Sequence, residues 1–268
     1  MNTRAAATRG ADMFARFAYA PNALGYCGPS GTTALRDGSA EEVRAVARSF
    51  TGAWPYLQVM SRMTGIDDAL DHRLVESYWL GGGIGARLDP ATFVAELLAV
   101  IGPAAGQYWK YLTDGSLIEE AAANHCFHVF GVYPWTRLLG RGGDHPVRVL
   151  DNCRINWGTI RARADDHVVV ECPRLEFDGH RLALSTRETR LIPVWTDGFS
   201  AVPDAAPGQL VALHWDRLCG RLTPARARSL VVSTERQLRA TNRRLERAAA
   251  ALHRSGGSSG ERRPPRQP

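Results

Sequence analysis

Over the first 150 residues the apolar positions recur at spacings of three and four, the period of helices buried along one face. Ser39 and Glu42 form a capping box ahead of Val43, Val46, Ala47 and Phe50. The pattern predicts further helices over 54–63 and 67–80, the second apolar at Leu70, Leu74, Tyr78 and Trp79 and stopped by Gly81, Gly82 and Gly83. Asp89 caps the next helix, with Pro90 at its first position and Phe93, Leu97 and Val100 within it. Ser116 and Glu119 read as a second capping box, opening a helix that carries 121–130 and ends near Tyr133-Pro134-Trp135. Ahead of all these, residues 1–11 read as disordered and 14–29 as an aromatic, turn-rich loop packed on a core.

The period changes near Val147. Alternating or β-branched character over 154–163, 167–177 and 181–188, with Asp165-Asp166 and Asp178-Gly179 between, predicts a meander of antiparallel strands. A Gly-, Pro- and Asp-rich loop over 196–208 leads to a closing strand at 210–213. Thr223-Pro224 then starts a long helix. The expected fold class is α+β, with a mostly helical N-terminal half, a small antiparallel β-barrel-like module and a long C-terminal helix. The expected divisions are a disordered 1–11, a helical domain over 12–146, the β module over 147–222, the helix over 223–253 and a disordered tail over 254–268.

Composition narrows the class. The chain has 268 residues, 44% hydrophobic and 22% charged, ordinary values for a globular protein. No apolar run is long enough to span a bilayer, and Arg4 and Arg9 are followed by no apolar signal region. The expected location is the cytoplasm. Five cysteines, an odd count with no C-x-x-C pair, argue against a disulfide framework or a zinc ribbon. Of the net charge of +6, residues 221–268 contribute +9 through twelve Arg against three Glu, leaving −3 for the rest. Lys110 is the sole lysine, so the preference for Arg reads as codon bias rather than as phosphate recognition.

The chemistry that stands out lies at the two ends of the β module. It opens with Cys153-Arg154-Ile155-Asn156-Trp157-Gly158 and closes with Gly208-Gln209-Leu210-Val211-Ala212-Leu213-His214. The first and last strands of a small barrel commonly lie close, which would set a thiol and an imidazole on one rim. Both are ligands for soft or borderline metals, iron included, and two are too few for a closed structural site. Here the module resembles the HypC/HupF hydrogenase-assembly chaperones, which open with Cys-x-x-x-Pro-Gly and close with Gly-Asp-x-Val-x-x-His. Cys153, Gly158, Gly208, Val211 and His214 match, and Leu222 follows at the family's spacing. Trp157 replaces the Pro, Gln209 replaces the Asp, and Cys153 is internal rather than N-terminal.

That resemblance, over about a third of the chain, implies a five-stranded barrel and a C-terminal helix. It implies an accessory role in building the iron centre of nickel–iron hydrogenases, beside a large-subunit precursor or a maturation scaffold, with Cys153 and His214 as the pair that touches iron. Through GYCGP, FHVFGVYPW and LHWD the whole chain is also similar to an uncharacterised family associated with hydrogenase genes.

Two other classes remain open. His125 and His128 are three apart on an expected helix and share a face, the beginning of a metal or haem site in a helical enzyme, with His72 and Glu76 as residues that would meet them if the helices pack that way. Buried structural histidines are the plainer alternative. Tyr19, Tyr26, Tyr78, Trp79, Tyr108, Trp109, Tyr111, Tyr133 and Trp135 would line a pocket or simply fill a core. Arg226, Arg228, Arg236, Arg239, Arg243, Arg244 and Arg247 give the last helix a basic face for nucleic acid or, better, for a protein partner. The glycines at 81–85 follow a helix rather than a strand and precede no Gly-Lys-Ser/Thr, so they read as a helix stop and turn.

Overall fold

A computed structural model describes residues 3–31, 33–105, 112, 115–141 and 143–256. Tyr108, Trp109, Lys110 and Tyr111, and the tail from 257, lie outside the described residues. The fold is α+β, with helices through the N-terminal half, a five-stranded antiparallel sheet and a long last helix. No described helix is long and apolar enough to cross a membrane.

The N-terminus corrects the sequence reading. Helix α1 runs Thr3–Ala23, through the segments expected to be disordered and looped. Ala11, Phe14, Phe17 and Ala18 are buried on it, so tertiary packing overrides the turn-forming composition. Helices α2 (Ala34–Asp37), α3 (Ala40–Ala47), α4 (Trp54–Thr64), α5 (His72–Leu80) and α6 (Pro90–Ala105) follow. The capping box at Ser39 has both of its hydrogen bonds. Asp89 accepts from the Thr92 amide at 2.8 Å, the cap expected for α6. Gly81 ends α5 at φ +71, and a Cβ there would lie 1.9 Å from Ser233 Oγ. The glycine run thus serves a close approach to the last helix as well as a stop.

The helix expected over 116–133 is interrupted. α7 spans Ser116–Glu120 with Gly115 at its N-cap position, so Ser116 is not the cap. The chain then breaks at 121–124. Asn124 caps α8 (His125–Phe127), which passes directly into a π-helical turn at His128–Val132. Helix α9 (His145–Cys153) is a second correction: Cys153 ends a helix rather than opening a strand.

Strands β1 (Asn156–Ala164), β2 (His167–Phe177), β3 (Leu182–Pro193), β4 (Leu210–His214) and β5 (Arg217–Arg221) pair in the order β3-β2-β1-β4-β5. The sheet is open: no ladder joins β3 to β5, so the barrel implied by the resemblance is not closed. β5, missed in the sequence, follows β4 through a two-residue turn.

The boundary drawn at 146/147 falls inside α9 and divides no core. Phe14, Trp79 and Phe127 share one apolar cluster with Ile155, Trp157, Ala212 and Cys219 of the sheet segment. A second cluster, including Ile160, Val170, Ile192 and Leu213, is built from the sheet and the loop after β3.

Helix α10 (Pro224–Gly256) clamps both halves. Glu120, 1% exposed, accepts from Gln237 Nε2 at 3.0 Å, Thr241 Oγ1 at 2.9 Å and Arg244 Nε. Asn242 bonds both the amide and the carbonyl of Leu182 on β3. Arg226 pairs with Glu76, Arg239 with Glu235 and Arg247 with Glu119. Much of the basic face is therefore matched within the protein, which weakens the nucleic-acid reading.

Candidate functional site

Pro21 lies within α1 and has no amide, so the carbonyl of Phe17 lacks the donor that helix geometry would supply from residue 21. His214, at the end of β4, fills the vacancy: its Nδ1 donates to Phe17 O at 2.7 Å. A carbonyl only accepts, so Nδ1 carries the proton and Nε2 holds a bare lone pair. That Nε2 is buried and makes no hydrogen bond of good geometry to a described residue, although the ring also feels the backbone of Cys153.

His125 is fixed by the same logic. Its Nε2 donates to the carbonyl of Cys153 at 2.9 Å, leaving Nδ1 to accept from Tyr78 Oη at 3.1 Å. Its ring centroid lies 5.3 Å from that of His214 and 5.9 Å from that of His128. His128 stands on the π turn, stacked against Tyr133 at 5.5 Å, with Nδ1 unpartnered.

These groups border one cavity of about 470 Å³, within the usual range for small-molecule sites. Cys153, His214, His125 and His128 all line it, so the two metal sites considered as alternatives in the sequence are one place. Tyr26, Tyr56, Tyr78, Trp79 and Tyr133 supply aromatic walls. Cys27, which sequence reasoning passed over, lines it too. The signal was present in the GYCGP motif. Asn22 Nδ2 donates to Cys27 O and Pro29 O, both at 2.9 Å, and Gly28 (φ +78) leaves no room for a Cβ against the Phe50 ring. His72 and Glu76 do not join the site; they pair with each other at 3.0 Å and meet Arg226 instead.

The cavity carries no formal charge. No Asp, Glu, Lys or Arg is among its described lining residues. Burial brings His128 and His214 down to about 4, and takes His125 well below the ordinary imidazole value, helped by His214 and His128. Burial pushes the thiols of Cys27 and Cys153 up to about 12. At neutral pH the three imidazoles are neutral and both thiols are protonated. Four lining residues hold buried polar atoms without a described partner: Tyr56 Oη, Trp79 Nε1, His128 Nδ1 and His214 Nε2. Native proteins rarely leave such atoms unmatched, so their clustering marks a place for a ligand or ordered water.

One edge of the site is closed by an aromatic stack. Tyr26 lies on Trp215 with centroids 3.7 Å apart and planes at 23°. Trp215 and Asp216 form the β4–β5 turn at φ +52 and +53, a conformation that favours Asn and Gly at both positions. Trp215 gains the stack, and Asp216 accepts from Arg190 at 2.9 Å. GYCGP, FHVFGVYPW and LHWD therefore converge in space: each contributes residues to this cavity.

Among the described residues no group of three or more His, Cys, Asp or Glu is arranged to hold a metal ion. Residues 6–248 match the model of a family of unknown function, DUF6390, and the chain belongs to that family. Neither a search of curated proteins nor one of solved structures found a match.

Proposed function

We propose that this DUF6390 protein is an accessory binding protein that holds a small cargo of low net charge in the histidine–cysteine cavity. The cargo that fits the donor set best is iron already carrying cyanide and carbonyl ligands, held on the way to a nickel–iron hydrogenase. The observation that carries this reading is the bare Nε2 of His214, in a residue only 2% exposed, bordering the same cavity as the Cys153 thiol.

The physical case rests on charge. A bare dication in a pocket without a carboxylate meets a large desolvation cost. A metal whose charge is offset by its own anionic ligands avoids most of it. Thiolate and imidazole suit borderline metals, and ligation by Cys153 would release its thiol proton. His125, with both nitrogens engaged, orients Cys153 and Tyr78 rather than ligating. His128 offers a further nitrogen. The partner proposed from the resemblance is the hydrogenase large-subunit precursor or a maturation scaffold, and the proposed site of action is the cytoplasm.

The test is anaerobic purification from the native host, with metal analysis and infrared spectra in the cyanide and carbonyl stretching region. Iron with matching bands, lost in Cys153→Ala and in His214→Phe, is the expected result. A co-purifying hydrogenase precursor without bands would reduce the role to docking. Neither bands nor such a partner would overturn the reading and return attention to a helical enzyme built on His125 and His128.

A further inference from the structure

A second cavity, of about 430 Å³, lies between α10, the start of α6 and the break between α7 and α8. Its chemistry is opposite to that of the first. Arg228 and Arg236 line it, and no Asp or Glu is among its described lining residues. Where other arginines of α10 pair with carboxylates, neither of these two has one within ion-pair distance among the described residues. Arg236 is anchored by donating to Glu120 O at 3.2 Å and Ala121 O at 3.0 Å, and the Glu120 carboxylate, which pairs with Arg244, offsets its charge only in part. Burial, with Arg243 and Arg239 nearby, holds it below the usual guanidinium value.

Eight residues separate the two arginines, about 12 Å along a helix and close to the same face. Val232 stands midway between them, 61% exposed. Leu88 and Phe93 extend the apolar wall, and Ser229 adds a hydroxyl beside Arg228. Cationic groups flanking an apolar floor suit a molecule with an anionic head and an aliphatic body. A bare phosphate would leave the exposed Val232 uncovered.

The geometry points to a binding site for a small amphiphilic anion, a carboxylate or phosphate ester with a short aliphatic chain, held by Arg228 and Arg236 over Val232. This site is separate from the histidine–cysteine cavity and does not depend on what that cavity carries.

The test is isothermal titration of the full chain with octanoate, octyl phosphate, acetate and inorganic phosphate. The expected order places both octyl compounds at least tenfold tighter than acetate and phosphate, with affinity falling as salt rises. Comparison of the two octyl compounds identifies the preferred head group. Arg228→Gln and Val232→Glu change exposed side chains and should each weaken octanoate at least tenfold, with the thermal transition of the unliganded protein unchanged. Cys153→Ala should leave octanoate binding intact. Absence of octyl binding, or wild-type affinity in both α10 variants, overturns the assignment. Loss of binding in Cys153→Ala alone would place the anion in the other cavity and overturn it equally.

Discussion

His214 donates its Nδ1 proton to the carbonyl of Phe17, the one acceptor in that turn of α1 that Pro21 leaves without a helical amide. A helix defect and an imidazole tautomer are thus a single device. Pro21→Ala restores an amide that competes for Phe17 O. A proline inside a helix costs up to ~3 kcal/mol, less in the last turn where Pro21 stands, so the gain is offset in part by the weakened His214 bond at about 1 kcal/mol. The expected outcome is a protein of equal or higher stability in which the Nδ1–H form of His214 no longer dominates, read by nitrogen-15 NMR of the ring. An unchanged tautomer would show that Pro21 does not set it.

Acid should unfold the protein earlier than its carboxylates alone would. His128 and His214 titrate at about 4 in the folded chain against 6.5 for an ordinary histidine, and His125 is also depressed. Above pH 6.5 neither state binds these protons. As pH falls from 6.5 to 4, the unfolded chain takes protons that the folded chain refuses, so stability drops by about 1.4 kcal/mol per pH unit per group. Below 4 the contribution of His128 and His214 levels off. Urea midpoints at several pH values should fall through that window, and His128→Phe should flatten the slope. A midpoint constant from pH 7 down to 5 would contradict the burial of neutral rings.

Asp151 holds the sheet to α9. It accepts from Arg154 Nε and Nη2 at 3.0 and 2.8 Å, from the Leu175 amide at 2.9 Å and from Arg190. Arg154 is 0% exposed and Arg190 nearly so. Asp151→Ala leaves buried Arg154 without a counter-ion and Arg190 with only the exposed Asp216, and should cost about 3–5 kcal/mol in urea unfolding. A loss under about 1 kcal/mol would mean that water replaces the carboxylate there.

Glu120 anchors α10 in the same manner through Gln237, Thr241 and Arg244. Glu120→Ala should loosen that helix selectively. Amide exchange should speed across the middle of α10 well before it changes in β1 or β2, which a uniform loss of stability would not produce.

The sequence showed the sheet well because alternation survives wherever one face is covered. The expected strands at 154–163, 167–177 and 210–213 lie within two residues of β1, β2 and β4 at each end. Gly158, a match to the chaperone pattern, is needed for a local reason: a Cβ there would lie 2.5 Å from Val170 Cγ1 and 2.6 Å from Glu171 O. α1 was hidden because Pro21 and the aromatic residues around it resemble loop composition, and only contacts with distant residues make that segment a helix. The candidate site was half visible. Residue chemistry picked out Cys153, His214, His125 and His128. Their union was not legible, since it depends on α9 ending at Cys153 and on a bond from His125 to that residue's carbonyl. Cys27 was missed because nothing in local spacing ties residue 27 to residues beyond 120.

The π turn at His128–Val132 closes with the Tyr133 amide on His128 O at 2.7 Å, and so stores one residue more than an α-helix of the same length needs. Deleting a single residue there would let the segment relax to ordinary pitch without opening a loop. His125 and His128 would then keep their phase relative to Tyr133, and only the widening of the turn that starts at His128 would be lost. A locally widened turn thus carries His128 at the cavity, and a one-codon deletion between 129 and 132 would remove that widening while leaving every one of the site's side chains in the chain.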